Sequence, residues 1–180
     1  MSRINRWMAL LSTLIGSVVL AGRVVSADAV SLTGVVGLMG VAAPLPRILP
    51  RAPGKMNRSG IALAAGLAAV AAMASRSVPG LKAAPEAMAI SIAAVCIAAI
   101  AEEAFFRRLM FGWLEAQNAL LAIAATSLAF ALVHVPIYGW KVLPMDLCAG
   151  LVFGWQRWVS GTWVVPAATH LLANLLVALR

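Results

Sequence analysis

Charge is scarce in this chain, and acidic charge most of all. Of 180 residues only 11% are charged and six are Asp or Glu. A soluble domain carries about 25% charge and about 45–50% apolar residues, whereas here 63% are hydrophobic and the mean hydropathy is +0.96. So much apolar surface exceeds what one small core can hide. That excludes a soluble globular enzyme and, equally, a disordered chain. Cysteine is nearly missing. Cys96 and Cys148 each lie in an apolar run and read as small buried hydrophobes, giving no disulfide framework and no cysteine metal cluster. His-Glu-x-x-His does not occur, so a zincin-type metal site is unsupported. Gly-x-Ser-x-Gly does not occur either, and no serine stands out as a nucleophile. Asp28, Glu86, Glu115 and Asp146 offer no aspartyl dyad, and neither a fixed-period repeat nor a low-complexity tail is present.

What is there is a succession of apolar runs: about 7–22, 29–45, 60–75, 85–116, 118–135, 143–155 and 162–179. At roughly 20–25 residues per span with short loops, the length suits about six to eight transmembrane helices. The reading is an all-α, polytopic transmembrane helix bundle of about seven spans. It divides into an N-terminal three-helix membrane segment, 1–84, and a second part, 85–180, that holds helices four to seven. Pro44, Pro46, Pro50 and Pro53 interleave with Arg47, Arg51 and Lys55 and mark a loop. Val25-Ser26-Ala27 could pass as a signal-peptide cleavage site, but the runs that follow closely favour an uncleaved first span.

The net charge is +8. In a soluble protein that balance would suggest nucleic acid. Here the basic residues lie mostly between apolar runs, so membrane orientation and anionic headgroups explain them, with the lipid bilayer as partner and no nucleic acid. Arg3, Arg6, Arg47, Arg51, Lys55, Arg58, Arg107, Arg108 and Arg157 fall on one side of a seven-span bundle. Arg23, Arg76, Lys82, Lys141 and Arg180 fall on the other, which puts the N-terminus in the cytoplasm.

A charged side chain near the bilayer centre costs about 2.5–3.5 kcal/mol on insertion scales. The informative residues are therefore the ionisable ones inside apolar runs: Glu102, Glu103, Arg107, His134 and His170. On a helix Glu103 and Arg107 are four apart and pair in the favourable order, while Glu102 is turned about 100° from that pair. A carboxylate desolvated beside a like charge holds a proton more readily than one in water, the property a general base near neutral pH requires. Phe130 and His134 are four apart, as are His170 and Asn174. The connection near Gln117 folds the fourth and fifth helices into an antiparallel hairpin. Glu102 lies about 15 residues before that turn and His134 about 17 after it, so at roughly 1.5 Å per residue they sit level. Two carboxylates, an arginine, two histidines and an asparagine thus converge in one apolar bundle. Two histidines and a glutamate also suit zinc, but an amide such as Asn174 is a poor zinc ligand and a good oxyanion donor. That favours chemistry without a cofactor and keeps zinc as the alternative.

These segments resemble the CPBP (CAAX protease and bacteriocin-processing, or Abi) family of intramembrane proteases. Its motifs are Glu-Glu-x-x-x-Arg, Phe-x-x-x-His and His-x-x-x-Asn/Asp, in that order on separate helices. Here they read Glu102-Glu103 with Arg107, Phe130 with His134, and His170 with Asn174. The resemblance covers about residues 87–179, and the first three runs carry nothing that matches. It implies an intramembrane glutamic endopeptidase related to the type II CAAX prenyl proteases, with 85–180 as the catalytic core. Glu102 would activate water with help from His134, and His170 and Asn174 would stabilise the oxyanion. Glu103, Arg107 and Phe130 would support them. The implied substrate is a membrane-anchored protein, cut near a C-terminal sorting or anchor tail, in a bacterial inner membrane. Arg108 departs from the family pattern, where a small residue is common, and is read as snorkelling to the interface. The competing readings are a non-catalytic bacteriocin-immunity or scaffold protein and a chelator-sensitive metalloprotease using the same residues. A transporter would show inverted repeats, which are missing, and a proton relay gives Asn174 no role.

Overall fold

The structure is a computed structural model that describes residues 3–22, 33, 36–38, 40–41, 57–75 and 92–178. The described residues are helical, joined by short turns. The helices are α1 (Arg3–Gly22), α2 (Asn57–Ser75), α3 (Ile92–Glu103), α4 (Phe111–Glu115), α5 (Ala119–Tyr138), α6 (Leu143–Ser160) and α7 (Val164–Ala178). A π-helical stretch, Ala104–Met110, joins α3 to α4 without a break, and one 3-10 turn, Trp140–Val142, precedes α6.

Local sequence explains the ends. Asn118 caps α5, its side-chain oxygen accepting from the backbone N–H groups of Leu120 at 2.8 Å and Leu121 at 3.0 Å. The α5 C-terminus closes on Gly139 at φ 80°, and α6 closes on Gly161 at φ 73°. Both conformations suit glycine. The π stretch holds two aromatics and two arginines in a row. Its wider turn turns Ala104, Phe105, Phe106, Arg107 and Leu109 all inward. Phe105 fills the space where Gly16 of α1 has no side chain, and Phe106, Phe130 and Phe153 form the core between the π stretch, α5 and α6.

The distribution of polarity is inverted relative to a soluble protein. Leu120 and Val18 are more than two-thirds exposed, as are Leu38 and Trp140, whereas Glu103, Arg107, Thr126, Ser127, Gln156 and Thr169 are fully buried. Leucine outside and charge inside is the arrangement lipid favours. Among the described residues one helix, α5, is both long and apolar enough to cross a membrane, and 58–72 and 164–176 are shorter apolar stretches.

The all-α class expected from the runs is observed. Four features differ from what the sequence leads one to expect. The fourth run was expected as one regular helix to residue 116, and it contains the π stretch. The fifth was expected to stop at Pro136, but α5 passes it and ends at Tyr138. Pro136 cannot donate to the carbonyl four residues back, but that costs a single bond, and beyond it Gly139 N–H still donates to the Val135 carbonyl at 2.7 Å. The sixth, expected to end at about Trp155, extends to Ser160 because Gln156 and Arg157 find partners in the bundle. Gln156 donates to the Ala62 carbonyl at 2.9 Å and to Thr169 Oγ1 at 2.8 Å. Arg108 was read as snorkelling outward, and its guanidinium instead donates to the Gly40 carbonyl. The second run lies largely outside the described residues, as do the proline-rich loop and the start of the fourth run.

Candidate active site

The α4–α5 turn does what the spacing near Gln117 required. It lays α3 and the π stretch antiparallel to α5, with Glu102 opposite His134. The Glu102 Oε2 to His134 Nε2 distance is 3.7 Å, and Glu102 is 3% exposed. His134 sits one turn before the end of α5, and its Nδ1 lies 2.7 Å from the Phe130 carbonyl. That carbonyl only accepts, so Nδ1 carries the hydrogen in the neutral ring and donates it. The Nε2 lone pair is left facing Glu102.

Glu103 points the other way. Its Oε2 lies 3.4 Å from Arg107 Nε, both side chains fully buried, and its Oε1 lies 3.1 Å from His170 Nδ1. The sequence reading gave Glu103 a supporting role with Arg107. The structure adds that the same carboxylate holds His170. Arg107 in turn donates to the Gly150 carbonyl of α6 at 3.1 Å and lies 5.3–5.9 Å from the ring centres of Phe106, Phe130 and Phe153. The buried cation thus lies among three aromatic rings and beside one carboxylate, while its Nε and Nη1 make no hydrogen bond.

Phe130 stands between the two histidines. Its ring centre is 4.7 Å from that of His134 and 5.6 Å from that of His170. His170 also stacks on Phe153 at 5.1 Å. Its ring is therefore fixed by one hydrogen bond and two aromatic contacts. Asn174 lies one turn further along α7 on the face of His170 and is half-buried. Glu102, Glu103, Arg107, Phe130, His134 and His170 are thus brought together from three helices and the π stretch, with Asn174 on the same face of α7. Among the described residues no three His, Cys, Asp or Glu side chains form a group that would hold a metal.

Two members of this neighbourhood were not singled out by the sequence reading. Asp146, in the first turn of α6, places Oδ2 3.8 Å from His134 Nδ1. Arg157, near the end of α6, donates from Nε to the Arg107 carbonyl at 3.0 Å and lies 3.4 Å from Glu115. A signal for Asp146 was available. His134 lies four residues before the end of α5 and Asp146 lies in the opening turn of α6, so the depth argument that levels Glu102 with His134 also levels Asp146. No such signal announces the link from Arg157 to the site, because its acceptor there is a backbone carbonyl.

The family of the type II CAAX prenyl endopeptidase Rce1-like proteins matches residues 84–176, just over half of the chain. No curated protein and no solved structure matches it.

Proposed function

The chain belongs to the type II CAAX prenyl endopeptidase Rce1-like family of integral-membrane proteases, which act on membrane-associated proteins, and from that premise we propose that it cuts a membrane-anchored protein at a peptide bond near its C-terminal sorting or anchor tail, using water activated by Glu102 and His134. The observation that carries the reading is the pair itself, Glu102 Oε2 and His134 Nε2 at 3.7 Å in an apolar bundle.

Both atoms accept hydrogen bonds. One water donating its two O–H groups to them keeps its oxygen lone pair for the substrate carbonyl. In the proposed reaction that oxygen bonds to the carbonyl carbon, and its proton passes to Glu102. The oxyanion accepts N–H bonds from His170 and Asn174. Glu103 supplies the countercharge that lets His170 donate from Nε2 while Nδ1–H stays on the carboxylate. When the C–N bond breaks, the proton returns to the leaving amine. Water attacks directly, so no acyl-enzyme forms. Asn174 suits an oxyanion better than zinc, which supports a reaction without a metal.

The wider assignment belongs to the same proposal. It comprises about seven spans, a three-helix segment 1–84 followed by a catalytic core 85–180, and residence in a bacterial inner membrane with the N-terminus cytoplasmic. The apolar runs and the distribution of Lys and Arg support it.

The test is cleavage of membrane proteins from the same genome that end in a transmembrane tail, with wild type, Glu102→Gln and His134→Ala, each with and without a chelator. Loss of about 10²–10⁴-fold in both variants, unchanged by chelator, is the expected result. Chelator-sensitive cleavage would turn the same residues into metal ligands. A cellular phenotype that survives both substitutions would support the immunity or scaffold reading.

A further inference from the structure

His134 is flanked by carboxylates on both ring edges. Glu102 of α3 faces Nε2 at 3.7 Å, and Asp146 of α6 faces Nδ1 at 3.8 Å. Among the described residues, Phe130 and Tyr138 of its own helix also lie against the ring, the latter stacked at 6.1 Å with planes 12° apart. We propose that Asp146 is the positioning residue of the site. It acts through His134, meeting from the side opposite Glu102 the positive charge that the ring takes on during the reaction.

Three observations support this. Asp146 occupies the first turn of α6, where the unpaired backbone N–H groups and the helix dipole favour an anion. The carboxylate is 14% exposed and His134 12% exposed, so little solvent intervenes. The Nδ1 hydrogen is already committed to the Phe130 carbonyl at 2.7 Å, so Asp146 has no hydrogen to take. The Phe130 carbonyl fixes the tautomer, so Asp146 acts on charge alone, and of the two roles of a triad aspartate it keeps only the stabilisation of positive charge on the ring. The arrangement matters when the proton of the attacking water is shared between Glu102 and His134. Any positive charge on the ring is then met from both edges.

The catalytic consequence rests on the peptidase reading above, but the placement of Asp146 does not. The chain has only two histidines, His134 and His170. In protein labelled with ¹⁵N-histidine and held in detergent micelles, the second ring serves as an internal control. Asp146→Asn is expected to shift the His134 ring-nitrogen resonances and leave those of His170 unmoved, and Asp146→Glu is expected to restore the His134 signals in part. On a tail-bearing substrate cut by the wild type, Asp146→Asn is expected to lower kcat about 10- to 100-fold with KM unchanged. In a His134→Ala background the same substitution should cost nothing further.

His134 resonances that coincide with wild type would overturn the proposal. So would both histidines moving together, which would mark a general disturbance of the bundle, or an undiminished loss in the His134→Ala background. If the wild type cuts no substrate, the peptidase reading fails and the spectra alone decide the role of Asp146.

Discussion

At the scale of single residues, the site depends on one cation. Arg107 pairs with Glu103, and both side chains are fully buried. Such a pair is weak evidence of net stability, because desolvating both charges offsets most of their attraction. Removing one partner is another matter, since the other charge is then buried alone. Arg107→Met is expected to cost about 3–5 kcal/mol, read as a fall in the thermal unfolding midpoint in detergent micelles. Glu103→Gln added to Arg107→Met should recover part of that loss, because the stranded carboxylate is gone. It should not recover cleavage, because the amide oxygen of Gln still accepts from His170 Nδ1–H but no longer supplies the countercharge that the proposed reaction uses. Full recovery of both would mean that Glu103 is only helix glue.

At the scale of elements, the π stretch that follows the two glutamates carries Arg107, and α6 holds it at two places. Arg157 donates to the Arg107 carbonyl, and the Gly150 carbonyl accepts from the Arg107 side chain. A side chain at Gly150 would meet Ser127 Cα of α5 at 2.9 Å. Gly150→Ala therefore pushes α6 from α5 and takes the Arg107 anchor with it. A loss of about 1–3 kcal/mol is expected, with a larger proportional loss of cleavage than a packing defect remote from the site would cause. Gly154→Ala, where the nearest atom is Ile123 Cγ2 at 3.3 Å, is the milder comparison, because a side-chain methyl gives way more easily than backbone. Equal effects at the two glycines would argue against a special role for the Gly150 contact. These elements also mark what sequence could convey. Residues four apart on one helix, such as Glu103 with Arg107 and Phe130 with His134, announce themselves through helical spacing. So does the level placement of Glu102 and His134, because a short turn and a fixed rise per residue determine it. The π stretch leaves no such mark. Its wider turn follows from where Phe105 and Phe106 fit against α1 and α5, and that is known only once the helices are packed. Gln156 and Arg157 looked like a helix end for the same reason, as their partners lie 94 and 50 residues away along the chain.

At the scale of the whole molecule, the inverted polarity decides what solvent the bundle is built for. Helix α5 presents Leu120, Leu121, Leu128 and Leu132 outward while Thr126, Ser127 and Phe130 face in. Leu128 is 49% exposed. On a soluble protein an arginine at such a position would change stability within about 0.5 kcal/mol, as surface substitutions generally do. In a bilayer the same side chain lies near the middle of a 20-residue helix, where insertion scales assign a charge a cost of about 2.5–3.5 kcal/mol. Leu128→Arg is thus expected to lower membrane-inserted protein in cells and the unfolding midpoint in lipid nanodiscs. Leu128→Phe, which keeps the surface apolar, should leave both near wild type. Trp140→Arg provides the positional control. Trp140 is 71% exposed in the turn after α5, beside Lys141, where aromatic and basic residues gather at the membrane–water boundary. An arginine there should be tolerated. If Leu128→Arg proves as harmless as Trp140→Arg, the outward leucines face another protein surface or water, and the bundle must bury them by association with a partner instead of in lipid.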